Sequence, residues 1–337
     1  MSSNLGYLFW RECYKHGQDP RQIKQTIETL LKADAADTPV EAPHGFPLTT
    51  AYPGLLVGSG YAHGLPTEED IKIGFFFDHT EGVPLIPGSS VKGTLRHLFG
   101  LPMKGKSDPL AEQKQVMIRA LLKKPDLDVN ALARAIFEGV LSDGGLLGPY
   151  ERDIFYDARI TRTRGSLLAD DYLAPHPDPF ENPIPIRFLK VAPGVTFRFA
   201  FRLVDTKIDG HVVTAGEKEI LFAQLLSTFG VGAKTNVGYG AFEPFDAKAY
   251  EEIKRQEEAK RKRESLKQQT SDASDADRIL TEIEIVKTAK TLQQKLKQNF
   301  ADAKLADEEK ERIVDAIRAK HGEDKFAKKA ANFIKNL

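Results

Sequence analysis

Apolar residues recur at helical spacing in several stretches of the chain. In "QDPRQIKQTIETLLKADA" (18–35), Ile23, Ile27, Leu30 and Leu31 share one face and predict a helix. The following "DTPVEAPHGFPLTT" is proline-rich and reads as a connector. "PGLLVGSG" (53–60) is short, apolar and closed by glycines, which predicts a buried first strand, and "IKIGFFFDHT" (71–80) predicts another. "IPGSSVKGTLRHLFG" (86–100) predicts a helix with Val91, Leu95, Leu98 and Phe99 as its buried stripe. Ser89 or Ser90 is placed to cap it, and Gly100 with Pro102 to stop it.

Residues 108–140 predict one or two helices, interrupted near Pro125. "RDIFYDARIT" (152–161) and "VTFRFAFRLVD" (195–205) alternate apolar and polar positions, as half-buried strands do. The stretch between them, 162–190, is rich in proline and poor in periodicity. "EKEILFAQLLSTF" (217–229) predicts an amphipathic helix, and "VGYGAFEPF" a last short strand.

The pattern changes after Phe245. Residues 246–268 are almost all charged or polar helix formers, laced with i,i+4 pairs that need no partner. Their basic cluster Lys260–Arg263 reads as a solvated face rather than an RNA contact. Residues 277–334 return to helical spacing, with Ile283, Val286, Leu292, Leu296, Ile313, Ile317 and Phe326 as apolar points. These are expected to pack on the main domain or on a neighbouring subunit. The division is thus an α+β domain over 1–245 and a charged helical extension over 246–337. No fixed-period repeat is evident.

Composition narrows the chemistry. Lys+Arg and Asp+Glu are both 48 in 337 residues, so any basic surface must be local. Cys13 is the only cysteine, which removes internal disulfides and thiolate zinc clusters. No stretch approaches the roughly 20 apolar residues of a membrane span, and the start lacks a signal-peptide core. A cytoplasmic protein without membrane contact, metal or other cofactor is expected.

The stretch "GVGAKTNVGYG" (230–240) invites a phosphate reading. The specific phosphate motifs place glycines after a strand and before a helix, whereas here the order is helix, glycines, strand. The Walker pattern fails at Gly232-Ala233-Lys234-Thr235, and no helix follows Gly240 to complete a dinucleotide fingerprint. Two readings stand. Backbone amides of Gly232, Ala233, Lys234, Thr235 and Asn236 can cradle an anion beside the Lys234 charge. Alternatively, the glycines close a helix and make a bulge before a strand.

In the helix of 86–100, Lys92 and Arg96 are four apart and share a face. Lys92 falls in the first turn, where the helix dipole disfavours a cation unless an anion is near. A phosphate held by Ser89, Ser90 and the free amides would answer that, and a solvated Lys/Arg face is the plain alternative. Ser89-x-x-Lys92 also fits a penicillin-binding-type nucleophile pair, but Ser-Asp-Asn and Lys-Thr-Gly are missing.

Three stretches together resemble the RAMP superfamily of CRISPR-associated proteins. They are "VPLIPGSSVKGTLRHLFG", "DYLAPHPDPFENPIPIRFLKVAPGVTFRFAF" and "FGVGAKTNVGYGAF". The middle one, with Pro175-His176 and Asn182-Pro183-Ile184-Pro185, is similar to the sixth-subunit family of type III-B (Cmr) RNA-targeting effectors. The resemblance covers roughly 48–245. It implies a ferredoxin-like (RRM-like) βαββαβ core with helical insertions. It further implies a non-catalytic subunit that binds CRISPR RNA (crRNA) near the guide's 3′ side, in contact with target RNA. The implied protein partners are the repeated backbone RAMP, the small helical subunit and a second head RAMP. Lys92, Arg96 and Lys234 suit a grip on RNA backbone, and Arg162 and Arg164 in "TRTRG" add charge near the insertion. In that insertion Leu167, Leu168 and Tyr172 read as a loop covering the core, or else as wedges between guide and target.

Some RAMP proteins cut RNA, so acid–base candidates matter. His63, His79 and His176 have no spacing that forces any two together, and Glu68-Glu69-Asp70 reads as a surface turn. No intrinsic catalysis is expected.

Overall fold

The computed structural model describes residues 4–15, 19–33, 42–58, 75–102, 108–173, 185–269, 275–301, 303, 305–322 and 324–337. The chain divides into two compact units, Met1–Phe245 and Asp246–Leu337.

The strands of the first unit are β1 (His44–Thr49), β2 (Leu85–Ile86), β3 (Ile154–Phe155), β4 (Ala158–Thr163), β5 (Leu168–Leu173), β6 (Ile186–Val191), β7 (Val195–Arg202), β8 (Thr206–Ile208) and β9 (His211–Val213). β5 pairs with β6 and β8 with β9 as separate hairpins. The main sheet is antiparallel, with β7 between β1 and β4 and with β2 beyond β4. β3 continues the β4 ladder on β7 through Tyr156, whose amide donates to Ala200. On the other side of β1 a last strand is reduced to the bridge Thr50↔Phe242, flanked by bonds from Ala51 to Ala241 and from Glu243 to Thr49. The core strands therefore stand in the order fourth, first, third, second. That is the ferredoxin-like arrangement, with α2 (Gly88–Leu98) in the first crossover and α5 (Ala215–Phe229) in the second.

The first strand is 44–49, not 53–60. β1 sits in the proline-rich stretch read as a connector. Pro47 is tolerated there because alternation turns its missing N–H to the outer edge, the side on which Thr49 accepts from Glu243. In 53–58 only Leu55 bridges, to Val191. Leu55, Leu56 and Val57 are nonetheless buried, and this burial gives the apolar run its strand-like look. The final strand is likewise shorter than "VGYGAFEPF" implied, because Thr235–Val237 is a 3₁₀ turn. The N-terminal helix α1 spans Pro20–Leu31 and buries Ile23, Ile27 and Leu30. Residues 108–140 form two helices, α3 (Ala111–Leu122) and α4 (Val129–Glu138).

Period-two alternation divides the sheet into two faces. Phe46, Phe197, Phe199, Phe201 and Ile160 lie on one. There Phe46 stacks on Phe199 and Phe201, and Phe222 of α5 packs 5.6 Å from Phe201 and 5.9 Å from Phe155. Phe99 and Phe137 extend this aromatic layer. At the lower end of the sheet, Lys218 of α5 is fully buried and spends all three protons, on Asp153 (2.5 Å), the Thr206 hydroxyl (2.7 Å) and the Val204 carbonyl (2.8 Å). Burial holds its pKa below the usual lysine value, against the pull of Asp153.

The second unit consists of α6 (Ala247–Gln269), α7 (Asp275–Ile285), α8 (Ala289–Asn299), α9 (Asp307–His321) and α10 (Lys325–Lys335). Ile279, Ile283, Val286, Leu292, Leu296, Ile313, Ile317 and Ile334 form its own core, with Phe326 at the margin. The expectation that these residues pack on the main domain or on another subunit is therefore corrected. Their stripes face one another, and four short amphipathic helices suffice to bury them.

Candidate nucleic-acid interface

The glycine loop is built by backbone contacts. α5 ends at Phe229, and Gly230 (φ +74°) closes it by donating to the Leu226 carbonyl. Val231 then donates to Gly240, Ala233 to Leu56, and Gly240 to Gly54. Gly230, Gly232 and Gly240 require glycine for space as well as for dihedral angle. An added Cβ would stand 2.4 Å from the Leu56 carbonyl oxygen at Gly232, and 1.9 Å from that of Val231 at Gly240. Between them Gly232–Gly238 is exposed. Lys234 adopts the left-handed conformation (φ +60°), which starts the 3₁₀ turn. Among the described residues, the amides of Lys234, Thr235 and Asn236 donate to no protein acceptor, and the Lys234 ammonium meets no carboxylate.

A polar tie fixes the loop from beneath. Tyr239 is buried against Phe188 and Leu56. Its hydroxyl donates to Asp171 Oδ2 at 2.7 Å, and Lys190 donates to the same oxygen at 2.6 Å. Burial, and then the bond to the carboxylate, raise the Tyr239 phenol above the usual tyrosine range. Partial burial pushes Asp171 upward, but the bonds from Lys190, Tyr239 and the Tyr172 amide prevail and hold it below the usual carboxylate range. The β5–β6 hairpin and the glycine loop are thus tied together through Asp171. Beside the loop, the turn Ala51–Gly54 presents Tyr52 at 85% exposure, and Pro53 faces Gly238.

At α2 the amide arrangement differs from the sequence expectation. The N-cap is Pro87, and neither Ser89 nor Ser90 caps the helix; both are exposed. The Gly88 amide is instead taken by Asp157 Oδ1 at 2.7 Å, so a carboxylate already complements the helix dipole. Lys92 lies 5.9 Å above the Phe155 ring and has no carboxylate partner among the described residues. Arg96 is committed to Glu138 (2.8 Å) and the Pro102 carbonyl (2.9 Å). Arg164 pairs with Glu243 at 3.0 Å, while Arg162 is exposed and unpaired among the described residues.

The two amide-bearing ends lie far apart. Gly88 sits against Phe155, level with Phe201 on β7, while the glycine loop adjoins Thr50 and Val191, level with Val195. The stretch from Val195 to Phe201 is about 20 Å long at a strand rise of about 3.3 Å per residue. One small anion cannot touch both ends, but a polymer can.

Leu167 and Leu168 are buried, which excludes them as wedges, and Tyr172 is exposed near the end of β5. The hairpin tip with His176 and Asn182–Ile184 lies outside the described residues, as do His63 and Glu68-Glu69-Asp70. His79 is placed by its carbonyl, which accepts from Asn4 at 3.3 Å. Sequence reasoning missed Asp157 and Tyr52. A carboxylate in the break between β3 and β4, and a Tyr-Pro-Gly turn, were the available signals.

No curated protein matches the chain. Solved structures similar to it include the type III-B Cmr-beta bound to cognate target RNA, with 24% identity, a TM-score of 0.39, and coverage of 60% of this chain and 58% of that one. The alignment thus spans little more than half of that chain. Cmr6 from Pyrococcus furiosus is 21% identical with a TM-score of 0.34, covering 62% of this chain and 100% of that one. A Csm–crRNA–target RNA ternary complex of a type III-A CRISPR-Cas system is 19% identical with a TM-score of 0.20, covering 42% of each chain. The family model described as RAMP superfamily matches residues 47–243, from β1 through the glycine loop to the bridge at Phe242. By that match, over more than half of its length, the chain belongs to the RAMP superfamily.

Proposed function

We propose that this RAMP protein is a non-catalytic subunit of a type III-B (Cmr) effector, and that it grips the backbone of a guide RNA near its 3′ side. The observation that carries this reading is the exposed turn at Lys234–Asn236. Its three amides are uncommitted, its lysine is unpaired among the described residues, and its glycines are locked by backbone contacts. Amides and a cation suit a phosphodiester and read no base. Guide–target pairing supplies sequence in such effectors, so a subunit needs only to hold geometry. Lys92 supplies a second unpaired cation, some 20 Å away by the strand rise. On this reading the partners are crRNA with its target RNA, the repeated backbone RAMP, the small helical subunit and a second head RAMP.

The test is guide-RNA affinity of the full chain as a function of salt. Losing two phosphate contacts in a Lys92→Ala/Lys234→Ala variant lowers the slope of log K against log salt by about 1.4, at about 0.7 per phosphate on a single strand. An unchanged slope and affinity would refute the grip.

A further inference from the structure

The sheet face opposite the aromatic layer carries an arrangement that the grip described above does not use. Register places Pro47, Thr49, Arg159, Arg162, Thr196, Arg198 and Arg202 on that face. No strand carboxylate accompanies them. Two of the four arginines are satisfied: Arg159 pairs with Asp78 (3.1 Å) and Glu81 (2.8 Å), and Arg202 donates to the Tyr150 carbonyl and lies over its ring. The other two are not. Arg162 is exposed, and among the described residues it has no hydrogen bond or ion pair. Arg198 is half-buried, its Nε is fully buried, and no acceptor reaches it.

This is costly in the empty state. Arg198 stands directly across the ladder from Arg159, and like charges in that position destabilise a sheet. A buried guanidinium nitrogen without an acceptor adds a further penalty. Arg162 pairs with Thr196, two residues from Arg198, so their register positions are about 7 Å apart along β7. The Thr49 and Thr196 hydroxyls, 2.9 Å apart on the same face, keep one proton to donate.

We infer that Arg162 and Arg198 form an oxyanion site on this face that takes the phosphodiester backbone of single-stranded RNA. Guanidinium forks match phosphate oxygens in pairs. Protein partners are anchored by exposed aromatic or aliphatic groups, whereas the strand residues next to Arg162 and Arg198 on this face are Pro47, Thr49, Arg159, Thr196 and Ala200; its large apolar residues stand to one side, Leu85 buried across from Arg159 and Ile154 half-buried across from Arg202. A strip of arginine and threonine favours a backbone without a side-chain anchor, which is how nucleic acid is held in register. The site also adjoins the glycine-loop end, because Arg162 is level with Thr196 and the loop with Val195. The inference goes beyond the grip at Lys234 and Lys92 and stands on separate residues.

The experiment measures binding of a fluorescein-labelled oligouridylate to the full chain across a KCl series. Arg162→Gln/Arg198→Gln is expected to weaken binding at least tenfold at low salt and to lower the salt slope by about 1.4, two phosphates at about 0.7 each. Arg198→Lys should keep the slope and lose part of the affinity, since it keeps the charge without the fork. Thermal midpoints of both variants should not fall, because no hydrogen bond or ion pair of these guanidinium groups to the described residues is removed. If the Gln pair binds like the parent while Lys92→Ala/Lys234→Ala does not, the arginine site is overturned and the loop grip survives. If only the Gln pair weakens binding, the arginine site stands and the loop grip falls. Arginine-dependent binding of polyglutamate with no effect on oligouridylate would also overturn it, in favour of an acidic protein partner.

Discussion

Gly232→Ala is the sharpest test of how the loop is held. Gly232 and Gly238 have nearly the same dihedral, φ +96° and +95°, so either alanine meets the same backbone strain of about 1–2 kcal/mol. Their surroundings differ. At Gly238 the nearest atom to a new Cβ is Pro53 Cδ at 3.5 Å, an ordinary contact. At Gly232 it is the Leu56 carbonyl oxygen at 2.4 Å, a backbone atom that cannot rotate away. That same oxygen accepts the Ala233 amide at 2.9 Å, so relieving the clash breaks the bond that pins the loop. Adding the lost bond and a poorly paired carbonyl brings Gly232→Ala to about 2–4 kcal/mol, against about 1–2 kcal/mol for Gly238→Ala. Trp10 is the only tryptophan and lies in the first unit, so denaturant unfolding followed by its fluorescence reports that unit alone. Gly232→Ala should also weaken RNA binding more than Gly238→Ala. Equal denaturation midpoints for the two variants would refute the contact argument.

Asp157→Asn keeps a capping oxygen for Gly88 but removes the charge at the start of α2. Stability should stay within a few tenths of a kcal/mol while RNA affinity rises about two- to fivefold, the worth of one charge at a helix end; a drop in affinity would place RNA elsewhere. Lys218→Met leaves Asp153 buried and unpaired and should cost about 3–5 kcal/mol, whereas adding Asp153→Leu should recover most of it; chemical denaturation of the two variants checks this. Asp171 titrates below its unfolded value of about 3.9, so its contribution is complete above that pH and disappears as pH falls through the lower native value. Between pH 5 and pH 2 the thermal midpoint of the parent should therefore fall more steeply than that of Asp171→Asn, and parallel curves would show that the Asp171–Tyr239–Lys190 tie contributes nothing.

Much of the fold was legible because its signals are local. The Ile23–Leu30 stripe, the Val91–Leu98 stripe and the alternation in 195–202 each follow from one element's own periodicity, and each element lies where the pattern put it. Errors arose where tertiary contacts overrode local pattern. Leu55–Val57 look like a strand because they are buried, yet they pair at one residue only, while β1 hides behind Pro47 and needs β7 to be recognised. The apolar points of 277–334 gave no sign that they face one another, since periodicity reports a stripe and not its partner. At the candidate site, the glycines and Lys234 were readable as residue types. That Arg96 and Arg164 are tied to Glu138 and Glu243, and that Asp157 takes the Gly88 amide, depends on pairings dozens of residues apart in sequence. The same holds for the arginine face, which only the β4–β7 register assembles.

Everything rests on RNA backbone lying on the turn between Gly232 and Gly238. Ultraviolet cross-linking of the full chain to guide RNA, with the adducts mapped by mass spectrometry, reads this contact. Adducts are expected within 232–238 and on the neighbouring Tyr52, and should be lost in Lys234→Glu. Efficient cross-linking confined to other segments, undiminished by Lys234→Glu, would contradict it.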